Sequence, residues 1–303
     1  IGKNIILKLN KKKFDVTGTY FKNFPKDLKK KNIKLKRCDL RNPSQVNKIF
    51  KNIDILIHCA ATTSGAKDIV NKPYIHVNDN VIMNSVITRA AYDNKIKHII
   101  IFSCTVMYKS SKKKLKETDF NANKEMYPNY FGGGWMKVYT EKQCEFYSRL
   151  GRNKFTIIRH SNIYGPYDKF DLEKSHVFGA SITKVLKCKN DTVEIWGDGK
   201  ETRDLLYIDD LVRFVFKILL KPNKNFSLYN IGLGRAISIT NLVKKIIIHS
   251  KLKLKIKYNL NKKSLKNNII LNCNLAKKDY LWEPKISIDN GIKKTIEWYK
   301  KNL

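Results

Sequence analysis

Acidic side chains are scarce in this chain. Asp and Glu number 26 against 61 Lys and Arg, which leaves a formal charge of +35. Basic charge attracts phosphate without regard to sequence, so nucleic-acid binding has to be weighed. The lysines are dispersed, however, in short runs such as Lys11–Lys13, Lys29–Lys31, Lys112–Lys114 and Lys262–Lys263. No RNA-binding signature or aromatic-interleaved basic stripe accompanies them, and patches rather than totals mark such sites. The charge reads as compositional drift toward Lys and Asn, with Lys on every solvated face, and nucleic acid is not the expected partner. Long hydrophobic runs are also lacking. None reaches the roughly eighteen residues of a membrane span, and no signal-peptide pattern opens the chain. The expectation is a soluble, cytoplasmic protein that meets no membrane. Paired cysteines are missing too. The six cysteines, at 38, 59, 104, 144, 188 and 273, form no C-x-x-C, and several stand in apolar, strand-like contexts. Reduced, buried thiols are expected, with neither disulfides nor a metal site. Internal repeats and low-complexity segments are absent.

With 303 residues and 42% hydrophobic side chains, the chain can bury a sizeable core as one large domain or a domain plus a lobe. Its apolar segments alternate in kind. Ile5, Ile6 and Leu9 share a helical face. Phe14–Tyr20, Lys34–Leu40, Ile53–Ala61, His98–Tyr108 and Phe155–Pro166 read as strands. IDILIHCAA and HIIIFSCTVMY are continuous apolar runs, as strands buried on both faces require. Helical patterns fall between them, near Val77–Tyr92 and through Tyr127–Tyr147. This alternation predicts a doubly wound, parallel α/β sheet. Further on, Asp209-Asp210 are expected to cap a helix over Leu211–Leu220, and Gly291–Tyr299 closes the chain as a helix. A run of three glycines, Gly132–Gly134, opens the long helix. Helical Gly costs about 1 kcal/mol against Ala. Either backbone must come close to something there, or space is needed for a substrate.

YPNYFGGGWMKVYTEKQCEFY, residues 127–147, resembles the central helix of the NAD-dependent epimerase/dehydratase family, the extended short-chain dehydrogenase/reductases that modify nucleotide sugars. The resemblance implies a Rossmann-type dinucleotide-binding part over residues 1–165. A smaller mixed α/β lobe over 166–303 would return some segments to the sheet. Family members carry Tyr-x-x-x-Lys in this helix; here the Lys is Lys137 and the Tyr position is Gly133. Gly2 resembles the last glycine of the family's G-x-x-G-x-x-G loop, so the first strand and most of that loop are expected to be missing from an N-terminally truncated sequence. Strand two ends without an acid, in Tyr20 and Lys22, which leans toward NADP over NAD. Asp39 and Leu40 match the step beside the adenine. Ala60 and Ala61 would let backbone approach the cofactor, and Asn80 would organise the site. The family's catalytic Ser/Thr falls on Cys104, with Ser103 and Thr105 beside it, so Thr105 is the candidate hydroxyl.

Asn162-Ile163-Tyr164-Gly165-Pro166 followed by Ser175-His176-Val177 narrows the resemblance to GDP-L-fucose synthase-like members. It implies His176 as an acid, although the partner Cys position is occupied by Val106. Lys184, Trp196 and Arg203 match groups that grip the nucleotide diphosphate, and Asn162 lies on the substrate side. The resemblance covers nearly the whole chain. It implies a homodimer through helices that include the Lys137 helix. The implied activity is NAD(P)-dependent hydride transfer at C4 of a nucleotide-diphosphate sugar, GDP-linked, as oxidation, 4-keto reduction or epimerisation. With Gly133 in place, the proton would travel through His176, Tyr130 or a water on Thr105. The alternative is a non-catalytic nucleotide-sugar or cofactor-binding protein that has lost the Tyr.

Overall fold

The computed structural model describes residues 1–9, 13–29, 33–63, 71–124, 126–222, 224–262 and 268–303. Lys11, Lys12, Lys30, Lys31 and Lys263 of the lysine runs lie outside the described residues.

The first part alternates helix and strand: α1 (Gly2–Lys8), β1 (Thr17–Tyr20), α2 (Lys26–Lys29), β2 (Lys34–Arg37), α3 (Pro43–Phe50), β3 (Ile55–His58), α4 (Asn78–Asp93), β4 (His98–Ser103), α5 (Phe131–Arg149) and β5 (Lys154–His160). The second part runs β6 (Asn162–Tyr164), α6 (Val177–Leu186), β7 (Thr192–Trp196), β8 (Thr202–Tyr207), α7 (Ile208–Leu220), β9 (Phe226–Ile231), β10 (Ala236–Ser238), α8 (Ile239–Ser250), β11 (Lys255–Asn259), α9 (Asn274–Tyr280) and α10 (Ile288–Asn302). β3, β4, β5 and β9 form a parallel sheet in that order, and β1 pairs with β2 in parallel. All six residues of β4 are buried, which is why its centre, Ile99–Phe102, is apolar without alternation.

The strands are shorter than the apolar runs that announce them. β3 stops at His58, and Cys59-Ala60-Ala61 leave the sheet as a loop at its C-terminal edge. Phe155–Pro166, read as one strand, is two. β5 stays in the main sheet while β6 joins β8 and β10. Ser161 is the hinge between them, its amide donating to the Ile231 carbonyl at 2.9 Å. β6 then pairs in parallel with β8, beside the buried Asp204 carboxylate, which accepts the amides of Leu233, Gly234 and Leu271. The start of α7 also differs from the expected acidic cap. Tyr207 is its N-cap residue, with no side-chain cap bond. Asp210 is fully buried and instead accepts the amides of Lys285 and Ile286 and pairs with Arg213 at 2.8 Å.

Two polar knots pin the helices to the sheet. In the first, Arg159 on β5 makes a two-pronged ion pair with Glu141 on α5, at 2.9 and 2.5 Å, with both side chains 5% exposed. Ser103 at the end of β4 donates to the same carboxylate at 2.6 Å. In the second, His58 meets Asn84 on α4 at 2.9 Å, and Asn84 donates to Thr140 on α5 at 3.0 Å.

Burial pushes His58 and His98 down to about 4; the charge of Lys137 adds to the effect on His58, and that of Lys154 on His98. The unfolded chain therefore binds more protons than the folded one between pH 6.5 and 4. Stability is full above about pH 6.5 and falls as pH drops toward 4. Urea unfolding should show a loss between pH 7.5 and pH 5. His98→Gln should shrink that loss by about 1–2 kcal/mol, because each histidine contributes about 1.4 kcal/mol per pH unit at most. An unchanged loss in the variant would contradict this origin.

Candidate active site

The C-terminal ends of β3, β4 and β5 open on a cleft of about 490 Å³. Its floor follows from the knots beneath it. Ser103 is fixed to Glu141, so Cys104 and Thr105 leave β4 at the cleft wall. Lys137 lies one helical turn before Glu141 on α5, and its Nζ donates to the Phe102 carbonyl at 3.0 Å while lining the cleft. His160 follows Arg159 directly and reaches the same space. Asn80, 3% exposed, donates to the carbonyls of Thr62 and His76 and accepts the Thr62 amide at 2.9 Å. It clamps the loop carrying Ala60 and Ala61 to α4, which a solvated helical Asn would not do.

The three glycines of α5 differ in what surrounds them. A Cβ on Gly132 would meet Val77 Cγ2 at 2.8 Å, and one on Gly134 would run into Met126 Sδ. A Cβ on Gly133 would meet nothing within 4 Å, and Gly133 lines the cleft. Close approach and open space are thus both present, at neighbouring residues.

His176 is the N-cap residue of α6 without a side-chain cap bond. It stands exposed at the cleft mouth, yet the surrounding wall desolvates it, and with Lys169 and His76 nearby its pKa is lowered. Burial raises the Cys104 thiol despite Lys137. Burial likewise raises the Tyr130 phenol, against the pull of Arg203.

The candidate residues fall into three groups. Ala60, Ala61, Asn80, Cys104, Thr105, Lys137, Asn162 and His176 line one cleft. Gly2 sits just behind it, where a Cβ would press on Cys59 Cβ at 3.2 Å. Lys184, Trp196 and Arg203 form a second group outside the cleft lining. Lys184 and Lys262 hold their ammonium groups 5.2 and 5.7 Å from the Trp196 ring centre. Burial lowers the Lys184 pKa, and its Nζ donates to the Glu194 carbonyl. Arg203 donates to the Thr202 carbonyl at 2.8 Å, and its charge reaches Tyr130 in the cleft wall. Asp39 and Leu40 stand apart, beyond β2. The Asp39 carboxylate is held below the usual range by hydrogen bonds from Arg41, which also reaches Asp79 at 2.9 Å. Lys22 and Arg41 both lie over the Phe21 ring, at 5.5 and 5.4 Å. Among the described residues no cluster of His, Cys, Asp or Glu suits a metal, and no helix is long and apolar enough to cross a membrane. His160 also lines the cleft, and no motif in the sequence points to it. Its one signal in the sequence is a lone imidazole at the end of β5, between Arg159 and Ser161.

Small residues at the strand ends, a glycine pressed against Cys59 and an ammonium in the cleft fit a flat dinucleotide with ribose hydroxyls. The comparisons agree with that geometry. The model of the NAD dependent epimerase/dehydratase family matches residues 1–232, and the chain belongs to this family. It is 27% identical to the GDP-L-colitose synthase of Yersinia pseudotuberculosis over 87% of each chain. It is also 27% identical to the GDP-L-fucose synthase of Azorhizobium caulinodans, over 86% of this chain and 85% of that one. Among solved structures, the UDP-glucose 4-epimerase of Thermotoga maritima with UDP-glucose superposes with a TM-score of 0.86 at 25% identity, covering 99% of this chain and 95% of the other.

The glycines give a test by thermal unfolding. Gly133→Ala should stabilise by up to about 1 kcal/mol, since it gains helix propensity and meets no neighbour. Gly132→Ala and Gly134→Ala should both destabilise, because their methyl groups displace Val77 and Met126.

Proposed function

We propose that this member of the NAD-dependent epimerase/dehydratase family acts on a nucleotide-diphosphate sugar, GDP-linked, at C4 of the sugar or 4-keto sugar. The observation that carries the proposal is the single cleft that joins Lys137, Cys104-Thr105, Asn162 and His176 at the C-terminal ends of three parallel strands. Ligands of open α/β sheets bind at that edge. The relatives named for GDP-sugar synthesis favour the GDP link.

The nicotinamide dinucleotide, when bound, supplies hydride acceptance and donation. Lys137 would hold the ribose hydroxyls beside it with its ammonium. Ala60 and Ala61 would let backbone approach the dinucleotide, while Asp39 and Leu40 would border its adenine. Lys22, at the end of β1 where no acid stands, favours the 2′-phosphate of NADP over NAD. Lys184, Trp196 and Arg203 would take the nucleotide diphosphate, Arg203 through paired charge-assisted bonds. Thr105 would orient the sugar hydroxyl, and His176 at the mouth would serve as the acid at a sugar carbon in epimerisation. The dinucleotide part would span residues 1–165 and the sugar lobe mainly 166–303. Ile82 on α4, with Tyr139 and Phe146 on α5, exposes apolar surface suited to a homodimer through these two helices.

A second reading rests on Gly133. The cleft offers no Tyr where the family's acid/base stands, which favours a nucleotide-sugar-binding protein without turnover. One assay separates the two. Full-length protein with NADP or NAD, in both redox states, is mixed with GDP- and UDP-sugars and their 4-keto forms, and nicotinamide absorbance is followed. Turnover that falls at least about 10²-fold in Lys137→Ala supports the enzyme. Arg203→Ala should raise KM by about tenfold or more, through loss of a charge-assisted pair. Tight nucleotide-sugar binding with no redox change on prolonged incubation establishes the binding protein instead.

A further inference from the structure

If the chain is an oxidoreductase, as proposed above, some group must move the proton that the family's Tyr would move. Side chains that line the cleft and carry polar atoms suited to it include Cys104, Tyr130, His160, Asp168 and His176. Asp168 lies in the loop beyond β6 rather than at the sheet edge, its Oδ1 accepting the Lys169 amide at 2.8 Å. Burial keeps the protons of Cys104 and Tyr130 in place, so neither starts as a base. His176 stands exposed at the mouth, on the segment ahead of α6 rather than at a strand end.

His160 differs in three respects. It occupies the last position of β5, where the sheet edge meets the cleft. Its Nδ1 lies 2.7 Å from the Ser161 carbonyl, an acceptor, so Nδ1 carries the hydrogen and Nε2 is left with a free lone pair. Nε2 has no hydrogen-bond partner among the described residues, and His160 lines the cleft. The ring is fixed from behind. Arg159 beside it is locked to Glu141, and the Phe102 ring packs with its centre 6.0 Å away. Phe102 is also the residue whose carbonyl holds Lys137.

The geometry points to His160 as the acid/base of this chain, accepting through Nε2 the proton of the sugar hydroxyl and returning it in the reverse direction. In oxidation the O–H bond breaks and its proton forms an N–H bond at Nε2. The C–H bond breaks with its electron pair, which leaves as hydride to the oxidised nicotinamide dinucleotide. The sugar carbon becomes a carbonyl and the ring an imidazolium. Reduction runs these changes backward. The open space at Gly133 is what leaves room for a hydroxyl to approach the imidazole rather than a phenol. Burial, with the positive charge of Lys137, keeps the free ring neutral, its pKa lowered to about 4, so the lone pair is available at neutral pH.

The test combines nitrogen NMR with kinetics on the full-length protein loaded with NADP, using GDP-sugar as probe. At pH 7 the His160 spectrum should show Nε2 unprotonated, and its resonance should shift when GDP-sugar is added. His160→Ala should lower kcat by about 10²–10⁴ with KM changed less than threefold, and added imidazole should restore part of the rate. His160→Gln, which keeps the bulk but not the base, should be as slow as His160→Ala and should gain less from imidazole. Gly133→Tyr in the His160→Ala background should recover turnover by returning a phenol to the vacant position. Turnover by wild type with undiminished kcat in both His160 variants overturns this inference and leaves the oxidoreductase reading standing. No turnover by wild type overturns that reading. In either case, a protonated Nε2, or one that GDP-sugar does not shift, overturns the role of His160.

Discussion

Arg159 is a cation enclosed by a parallel sheet and a helix, and the geometry of the cleft follows from how that charge is met. Its guanidinium forks onto Glu141, the carboxylate also takes the hydrogen of Ser103, and a further nitrogen donates to the Tyr108 hydroxyl at 2.8 Å. Burial alone would pull the Arg159 pKa down; the bond and charge of Glu141 reverse that and raise it. Enclosed pairs contribute little net stability, but removing one partner leaves an unmet charge and costs about 3–5 kcal/mol. What the pair contributes is position. Cys104 is next to Ser103, Lys137 is one turn from Glu141, and His160 is next to Arg159. Three walls of the cleft are held in register by one buried contact.

Above that floor, the helix start is shaped by the absence of side chains. Gly132 and Gly134 allow the backbone of α5 to lie against Val77 and Met126, while Gly133 leaves the cleft open. The proposed chemistry needs a proton carrier near Lys137, and the phenol that the family resemblance implies would project from the position of Gly133. The carrier proposed instead comes from the adjacent strand end, held by the same buried pair. A missing phenol and a fixed imidazole are two parts of one arrangement.

Much of this order is legible in the sequence, and the limits have physical causes. The buried strands announce themselves because both faces are covered, so Ile99–Phe102 at the centre of β4 is apolar throughout. Their ends do not, because the apolar character continues into loops that line the cleft, as in Cys59-Ala60-Ala61. The break between β5 and β6 depends on Ile231 and on β8, both distant in sequence from Ser161. Asp210 looked like a helix cap, since an acid at a helix start usually is one; it serves the amides of Lys285 and Ile286 instead. Motif spacing located Asn80, Lys137 and His176, which the fold brings to one cleft, and also Lys184, Trp196 and Arg203, which lie outside its lining. His160 belongs to no motif, and only its hydrogen bond to Ser161 shows which nitrogen is left without a protein partner.

The central claim is that this cleft performs hydride chemistry on a nucleotide sugar without the usual Tyr. Its most direct test is isotopic: GDP-sugar deuterated at C4 is incubated with oxidised NADP and the full-length protein, and the dinucleotide is analysed by mass. Deuterium in the reduced dinucleotide is the predicted result. Its absence, with the sugar bound at saturation, would contradict the account.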